Sequence, residues 1–242
     1  MKLKILGSSS KGNGYLLIGE NETLIIEAGI NIKQVKKELN FNLSNVVGCL
    51  ISHSHGDHSK YTSDFLKTGI SCYMTKETIE ALNINHYRLH KIIPEQMFNI
   101  GNFKILPFST KHDCPGSVGF LIKHNELGTL LFATDTFYLE YKFPNVNHIM
   151  IEANYDKNIL VENILKGYIP DVVAKRVFKS HFELSNLKEF FKANDLTKTK
   201  EIILIHLSDN NSDAKRFKKE IEELTFKTVY IAEEGLELSL HP

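Results

Sequence analysis

The sequence predicts a mixed α/β fold in a single domain, and three observations predict it. Short β-branched and apolar runs recur through the first half of the 242-residue chain. Segments with charge gathered on one face lie between and after them. No Pro/Gly/Ser-rich linker, long charge run or short-period repeat divides the chain.

The strand-like runs are Lys2 to Leu6, Tyr15 to Ile18, Thr23 to Glu27 and Val46 to Ile51, then Phe103 to Phe108, Val118 to Ile122 and Thr129 to Ala133, with Ile202 to Ile205 later. Their Val, Ile, Leu and Phe content suits strands buried on a sheet face, and their number allows two sheets. Helix-like segments are Lys33 to Leu39, Lys76 to Leu82, Leu184 to Lys192 and Ala214 to Leu224, and Tyr61 to Leu66 has the look of an early helical turn. With 42% hydrophobic residues the chain can bury a sizeable core, so one domain over residues 1–242 is expected.

Composition narrows the function classes. Twenty-nine basic side chains balance 29 acidic ones, so no global basic field announces nucleic acid, although a local patch remains open. Cys49, Cys72 and Cys114 form no C-x-x-C pair and read as free thiols of a reduced, cytoplasmic chain. The apolar run Leu3 to Leu6 is too short for a signal peptide, and no run reaches the roughly eighteen apolar residues a membrane span needs. No membrane partner is expected.

The densest chemistry is "LISHSHGDHS", Leu50 to Ser59, where His53, His55, Asp57 and His58 follow a buried strand-like run. If the chain stays extended beyond Ile51, the period of two sends His53, His55 and Asp57 to one side, and His58 joins them as the chain turns. A solvated His-rich loop is the alternative. A divalent cation would satisfy all four groups at about 2.0 to 2.2 Å, and a metal site is therefore expected. Three isolated groups also trail apolar runs: His112 after Phe103 to Phe108, Asp135 after Leu130 to Thr134, and His206 after Ile202 to Ile205.

In order and type, His53-x-His55-x-Asp57-His58 followed by His112, Asp135 and His206 resembles the dinuclear site of the metallo-β-lactamase fold hydrolases. The opening "SSSKGNGY" and "LIIEAG" look like that fold's first two strands. Within the superfamily, "SSSKGN", "FATDT", "IEANYD" and "IHLSDNN" resemble the small stand-alone YycJ/WalJ-like nucleases. The resemblance implies an αββα four-layer sandwich with two metals in a cleft along the sheet edges. It places His53, His55 and His112 on the first metal, Asp57, His58 and His206 on the second, and Asp135 between them. Imidazole and carboxylate donors suit zinc first and manganese second. The pattern places no cysteine on the metals, and Cys114 is expected to be a packed loop thiol. Glu27 stands where many relatives have aspartate, and it either orients a ligand loop or merely ends a strand at the surface.

Two such ions lower the pKa of a shared water, so the expected nucleophile is a bridging hydroxide and the expected reaction hydrolysis, with Asp57, Asp135 and His181 as the catalytic side chains. Two features bear on substrate. The segment Ser8 to Gly14 offers hydroxyls and Gly-flanked N–H groups suited to a phosphate, or else is an ordinary hairpin turn. His181, just before a helix-like segment, resembles an extra histidine of the nuclease-like relatives. It could bind a scissile phosphate or protonate a leaving oxygen, with Arg176 and Lys179 adding positive potential. The leading expectation is a phosphodiesterase acting on DNA or RNA. The alternatives are a lactonase or thioesterase of the same fold, and a non-catalytic metal-binding module.

Overall fold

The computed structural model describes residues 1–242. The first sheet is built from β1 (Lys2–Ser9), β2 (Gly12–Ile18), β3 (Thr23–Ile26), β4 (Val46–Leu50), β5 (Cys72–Thr75) and β6 (Leu89–Ile92), with β14 (Glu237–Ser239) beside β1. β1 to β3 run antiparallel, whereas β3 to β6 run parallel. Parallel neighbours need crossovers, and these are supplied by α1 (Ile32–Glu38), by α2 (Gly56–Ser59) with α3 (Thr62–Lys67), and by α4 (Lys76–Leu82).

The second sheet repeats the plan. β7 (Phe98–Ile100), β8 (Phe103–Ser109), β9 (Val118–His124) and β10 (Gly128–Ala133) are antiparallel, and β11 (His148–Glu152), β12 (Glu201–Ile205) and β13 (Thr228–Ile231) continue in parallel from β10. Helices α5 (Lys157–Leu165), α6 (Asp171–Ser180) and α7 (Leu184–Ala193) connect β11 to β12, and α8 (Ala214–Thr225) connects β12 to β13.

Strand alternation decides the layers. Leu130 and Phe132 of β10 and Ile203 and Ile205 of β12 face inward, into a core of 22 buried residues shared with Leu3, Ile5 and Tyr15 of β1 and β2. Their neighbours Leu131, Ala133, Ile202 and Leu204 face outward, against Leu187 and Phe191 of α7 and Phe217 and Ile221 of α8. On the other side Ile25, Cys49, Cys72 and Met74 pack against Val35, Phe65 and Leu66 of the first helical layer. Each fully buried Leu, Ile or Phe contributes roughly 1.5–3 kcal/mol, so both faces of both sheets must be covered. The result is the expected αββα order of layers. No helix is long and apolar enough to cross a membrane.

Of the two readings of Ser8 to Gly14, the structure has the hairpin: β1 and β2 pair through Gly7, Ser8 and Ser9 against Gly14, Asn13 and Gly12. Only Ser10 and Lys11 remain as the hairpin tip, and most backbone N–H groups there are spent on the ladder.

Candidate metal centre

Strand direction gathers the candidate residues. β10, β11 and β12 are parallel, and β8 shares their direction because both β8 and β10 are antiparallel to β9. Their C-terminal ends therefore lie on one edge of the second sheet, delivering His112, Asp135, Glu152 and His206. The parallel pair β3 and β4 likewise delivers Glu27 and His53 from the first sheet. Three of these residues leave their strands with positive φ: Glu27 at 69°, Asp135 at 46° and His206 at 53°. Asp and His tolerate this region better than most side chains, but each such turn still costs about 1–3 kcal/mol.

The expected extended run through Asp57 is broken. The chain bends after His53 and enters α2 at Gly56, so Asp57 and His58 come from the first turn of a helix rather than a strand. That helix is docked by backbone bonds, from Ala28 N to the His58 carbonyl at 2.8 Å and from Tyr61 N to the Ala28 carbonyl at 2.9 Å. Gly29 makes the approach possible, since a Cβ there would stand 1.7 Å from the Asp57 carbonyl oxygen. This is the physical content of "EAG" in the first half of the chain.

Seven side chains then meet in two groups on either side of Asp135. Its Oδ2 lies 3.5 Å from both His53 Nε2 and His112 Nε2, and His112 Nε2 lies 2.9 Å from His55 Nδ1. Its Oδ1 lies 3.4 Å from His58 Nε2 and 3.6 Å from His206 Nε2, while Asp57 Oδ2 lies 3.3 Å and 3.1 Å from the same two nitrogens.

The imidazoles are oriented from behind. His53 Nδ1 is 2.9 Å from Ser52 Oγ, His112 Nδ1 donates to the Ser180 carbonyl at 2.9 Å, and His58 Nδ1 faces Glu27 Oε1 at 3.5 Å. His55 turns its Nε2 toward Asp113 Oδ1 at 3.5 Å. In each case the other nitrogen points to the centre, the arrangement by which outer carbonyls and carboxylates fix a histidine tautomer for a cation. The buried His53 Nε2 has no hydrogen-bond partner at all. Such a donor set fits divalent ions.

Electrostatics agrees with the geometry. Burial works against charge on Asp135, yet the imidazoles of His206, His58 and His53 outweigh it and hold the carboxyl well below the usual range. Burial likewise opposes charge on His58, and Asp135 and Glu27 reverse it, raising that imidazole well above its ordinary value. His112, by contrast, is pushed down to about 3, mainly by burial. It is neutral at physiological pH, as a metal-binding imidazole must be.

Glu27 is 1% exposed and faces His58, and its Oε2 accepts from Ser52 N at 3.3 Å, so it is not a surface strand end. Several residues at the site escaped the sequence reading. Glu152 closes β11, and its Oε1 accepts from His181 Nδ1 at 2.6 Å. Asn154 Nδ2 donates to the His206 carbonyl at 2.9 Å, and Asn13 Nδ2 donates to the Asp57 carbonyl at 3.2 Å while lying 3.1 Å from His58 Nε2. The strand-end rule that found Asp135 would have found Glu152, because Ile149 to Ile151 precede it. Cys114, expected to be a packed loop thiol, brings its sulfur within 4.8 Å of the donor atoms of His53, His55 and His112.

A cleft of about 410 Å³ opens over Asp135, Asp57 and His206, with His181, Asn154 and Arg176 on its walls. Arg176, from α6, reaches across the mouth to donate from Nε to Asp113 Oδ2 at 2.6 Å.

Comparison with known proteins agrees with this geometry. The family described as "Beta-lactamase superfamily domain" matches residues 23–207. The exodeoxyribonuclease YycJ of Bacillus anthracis is 26% identical, with 87% of this chain and 84% of that protein covered. The exodeoxyribonuclease WalJ of Streptococcus pneumoniae serotype 2 is 28% identical, with 87% and 83% covered. The crystal structure of YhfI from Bacillus subtilis, a metallo-β-lactamase fold protein, superposes with a TM-score of 0.77 at 16% identity, covering 98% of each chain. The two facing sheets, the strand-end histidines and aspartates and the match over residues 23–207 lead to one conclusion: the chain belongs to the beta-lactamase superfamily and has the metallo-β-lactamase fold.

Proposed function

We propose that this chain is a two-metal phosphodiesterase that cleaves nucleic acid. The observation that carries the reading is Asp135, whose two oxygens face two separate histidine groups at 3.4 to 3.6 Å. In this reading His53, His55 and His112 hold one divalent ion, Asp57, His58 and His206 hold another, and Asp135 serves both. Zinc is the first choice and manganese the second. When bound, the ions supply water activation and neutralise charge building on the attacked phosphate.

The chain's own groups account for the rest. His181 keeps Nδ1 on Glu152 and so has Nε2 for the substrate, where it can hold a phosphate oxygen or give a proton to the leaving oxygen. Arg176 stands at the cleft mouth with a guanidinium able to fork onto a phosphate. Among the cleft residues only Val173, Val177 and Leu207 are apolar, a poor lining for the acyl chain of a lactone or thioester and a good one for a polar anion. The names of the YycJ and WalJ relatives support deoxyribonucleic acid as the first substrate to test. Three free cysteines support a reducing, cytoplasmic setting.

The test is incubation of metal-loaded protein with end-labelled single- and double-stranded DNA and RNA, beside generic lactone and thioester substrates. Metal-dependent shortening of an oligonucleotide is the expected result. Turnover of the esters alone would sink the proposal.

A further inference from the structure

We propose that Cys114 is a metal ligand: its thiolate joins His53, His55 and His112 and makes the first site selective for a soft or borderline ion such as zinc, leaving the second site of nitrogen and oxygen donors to admit manganese. This rests on the metal centre proposed above.

The sulfur and the three imidazole nitrogens lie within 4.8 Å of one another. Cys114 sits two residues beyond His112 in the segment joining β8 to β9, so whatever fixes the histidine also fixes the thiol. That segment is anchored where Thr75 Oγ1 donates to the Gly116 carbonyl at 2.8 Å and Ser117 Oγ donates to the Cys114 carbonyl at 2.9 Å. The sulfur's one polar neighbour is Ser117 Oγ at 3.2 Å, whose proton is already given to that carbonyl. With that proton committed, the hydroxyl accepts from the thiol S–H, a weak bond that the sulfur gives up when it binds a cation.

His53 points independently to a ligand at this place. It is 1% exposed, its Nε2 is buried without a hydrogen-bond partner, and the residue belongs to the same group of four. Leaving such a group unpaired costs about 1–3 kcal/mol, which a cation at the centre of the group would offset. Three imidazoles and a thiolate are a donor set that zinc takes readily, at about 2.3 Å to sulfur, and Asp135 Oδ2 remains as a fifth donor. Manganese prefers oxygen. On binding, the S–H bond breaks, its electron pair forms the sulfur–metal bond and the proton passes to solvent; nothing is oxidised or reduced.

The other two cysteines cannot imitate the effect, because Cys49 and Cys72 are fully buried between the first sheet and its helices. Metal-stripped protein is therefore titrated with cobalt(II). The expected result is an intense near-ultraviolet sulfur-to-cobalt charge-transfer band, absent from Cys114→Ser and Cys114→Ala although both still bind cobalt. Given one equivalent each of zinc and manganese per chain, the wild type should hold one of each with zinc at the Cys114 site, and Cys114→Ser should lose part of that zinc preference. Two bound cobalt ions without the band, or a band that survives both substitutions, overturns the role of Cys114 and leaves the metal centre standing. Failure to bind cobalt at all overturns both.

Discussion

His181 Nδ1 donates to Glu152 Oε1 over 2.6 Å, and the other oxygen of that carboxylate accepts from the backbone N–H groups of Phe182 and Thr136 at 3.1 and 3.0 Å. Glu152 is fully buried and pinned by these two backbone groups, so it holds the imidazole in one tautomer and one orientation. Burial opposes charge on His181, but Glu152 prevails and lifts the imidazole to about 9. The consequence in the metal-free protein is a proton-bearing side chain in the cleft at neutral pH. His181→Ala should lower phosphodiester cleavage about 10²–10⁴-fold while elemental analysis finds the metal content unchanged. Loss of metal would instead make His181 a ligand, and unchanged cleavage would leave it a helix-entry residue.

The same pair sets a pH dependence of stability. A folded-state value raised from 6.5 to about 9 contributes stability that is complete below 6.5 and disappears as pH climbs through 9. Metal-stripped protein should therefore show a falling Tm from about pH 7 to 10, and His181→Gln should flatten that fall. Parallel slopes in thermal denaturation of the two proteins would remove His181 as the cause. On the acid side the sign is opposite: the depressed Asp135 contributes above its ordinary 3.8 and is lost as pH drops below it.

Much of this was legible in the sequence because strand ends and candidate ligand residues coincide. The runs before His53, Asp135 and His206 are apolar enough to be read as strands, and a polar group ending such a run has few reasons to be there. β5, β6 and β13 were not legible: four residues such as Leu89-His-Lys-Ile92 carry too little pattern, and only pairing with a longer neighbour makes them strands. The helices α5 and α6 were missed for a related reason. α5 buries only Leu160 and shows no amphipathic stripe, whereas α6, although its apolar side chains share one face, buries only Ala174 and Ser180 and leaves Val172 and Val173 exposed. Cys114 could not be placed at all from spacing, since its approach to His53 depends on how β8 and β4 are brought together in space.

Arg176 is held by Asp113 and lies 3.3 Å from His55 Nε2, so an incoming phosphate must compete with Asp113 for the guanidinium. Arg176→Ala should raise KM for an oligonucleotide more than it lowers kcat. It should also reduce the slope of log affinity against log salt by about 1, the signature of one lost phosphate contact. Binding measured over a salt series decides this; an unchanged slope would mean that the arginine serves only the ion pair.

Glu27 reaches His58 through a side chain one methylene longer than aspartate. Glu27→Asp withdraws the carboxylate by about 1.5 Å, beyond both His58 Nδ1 and Ser52 N. The orientation of His58 is then lost, and the affinity for the ion proposed on Asp57, His58 and His206 should fall about 10–100-fold. A metal titration indistinguishable from wild type would show that this carboxylate only finishes a strand.

Asp135→Asn is the sharpest test of the centre, and the argument is one of charge. Asp135 is 2% exposed and lies between two histidine groups. Two dications held close together repel, and an anionic carboxylate between them offsets the repulsion where a neutral amide of the same shape does not. Asparagine also turns an acceptor into a donor toward either His53 and His112 or His58 and His206. One ion should remain on His53, His55 and His112, so Tm should fall only modestly, whereas occupancy of the second site and hydrolysis should both collapse. Elemental analysis, thermal denaturation and oligonucleotide cleavage on one preparation separate the outcomes. Two ions with near wild-type cleavage would mean that Asp135 does not join the sites, and the two-metal phosphodiesterase would have to yield to a single-metal one.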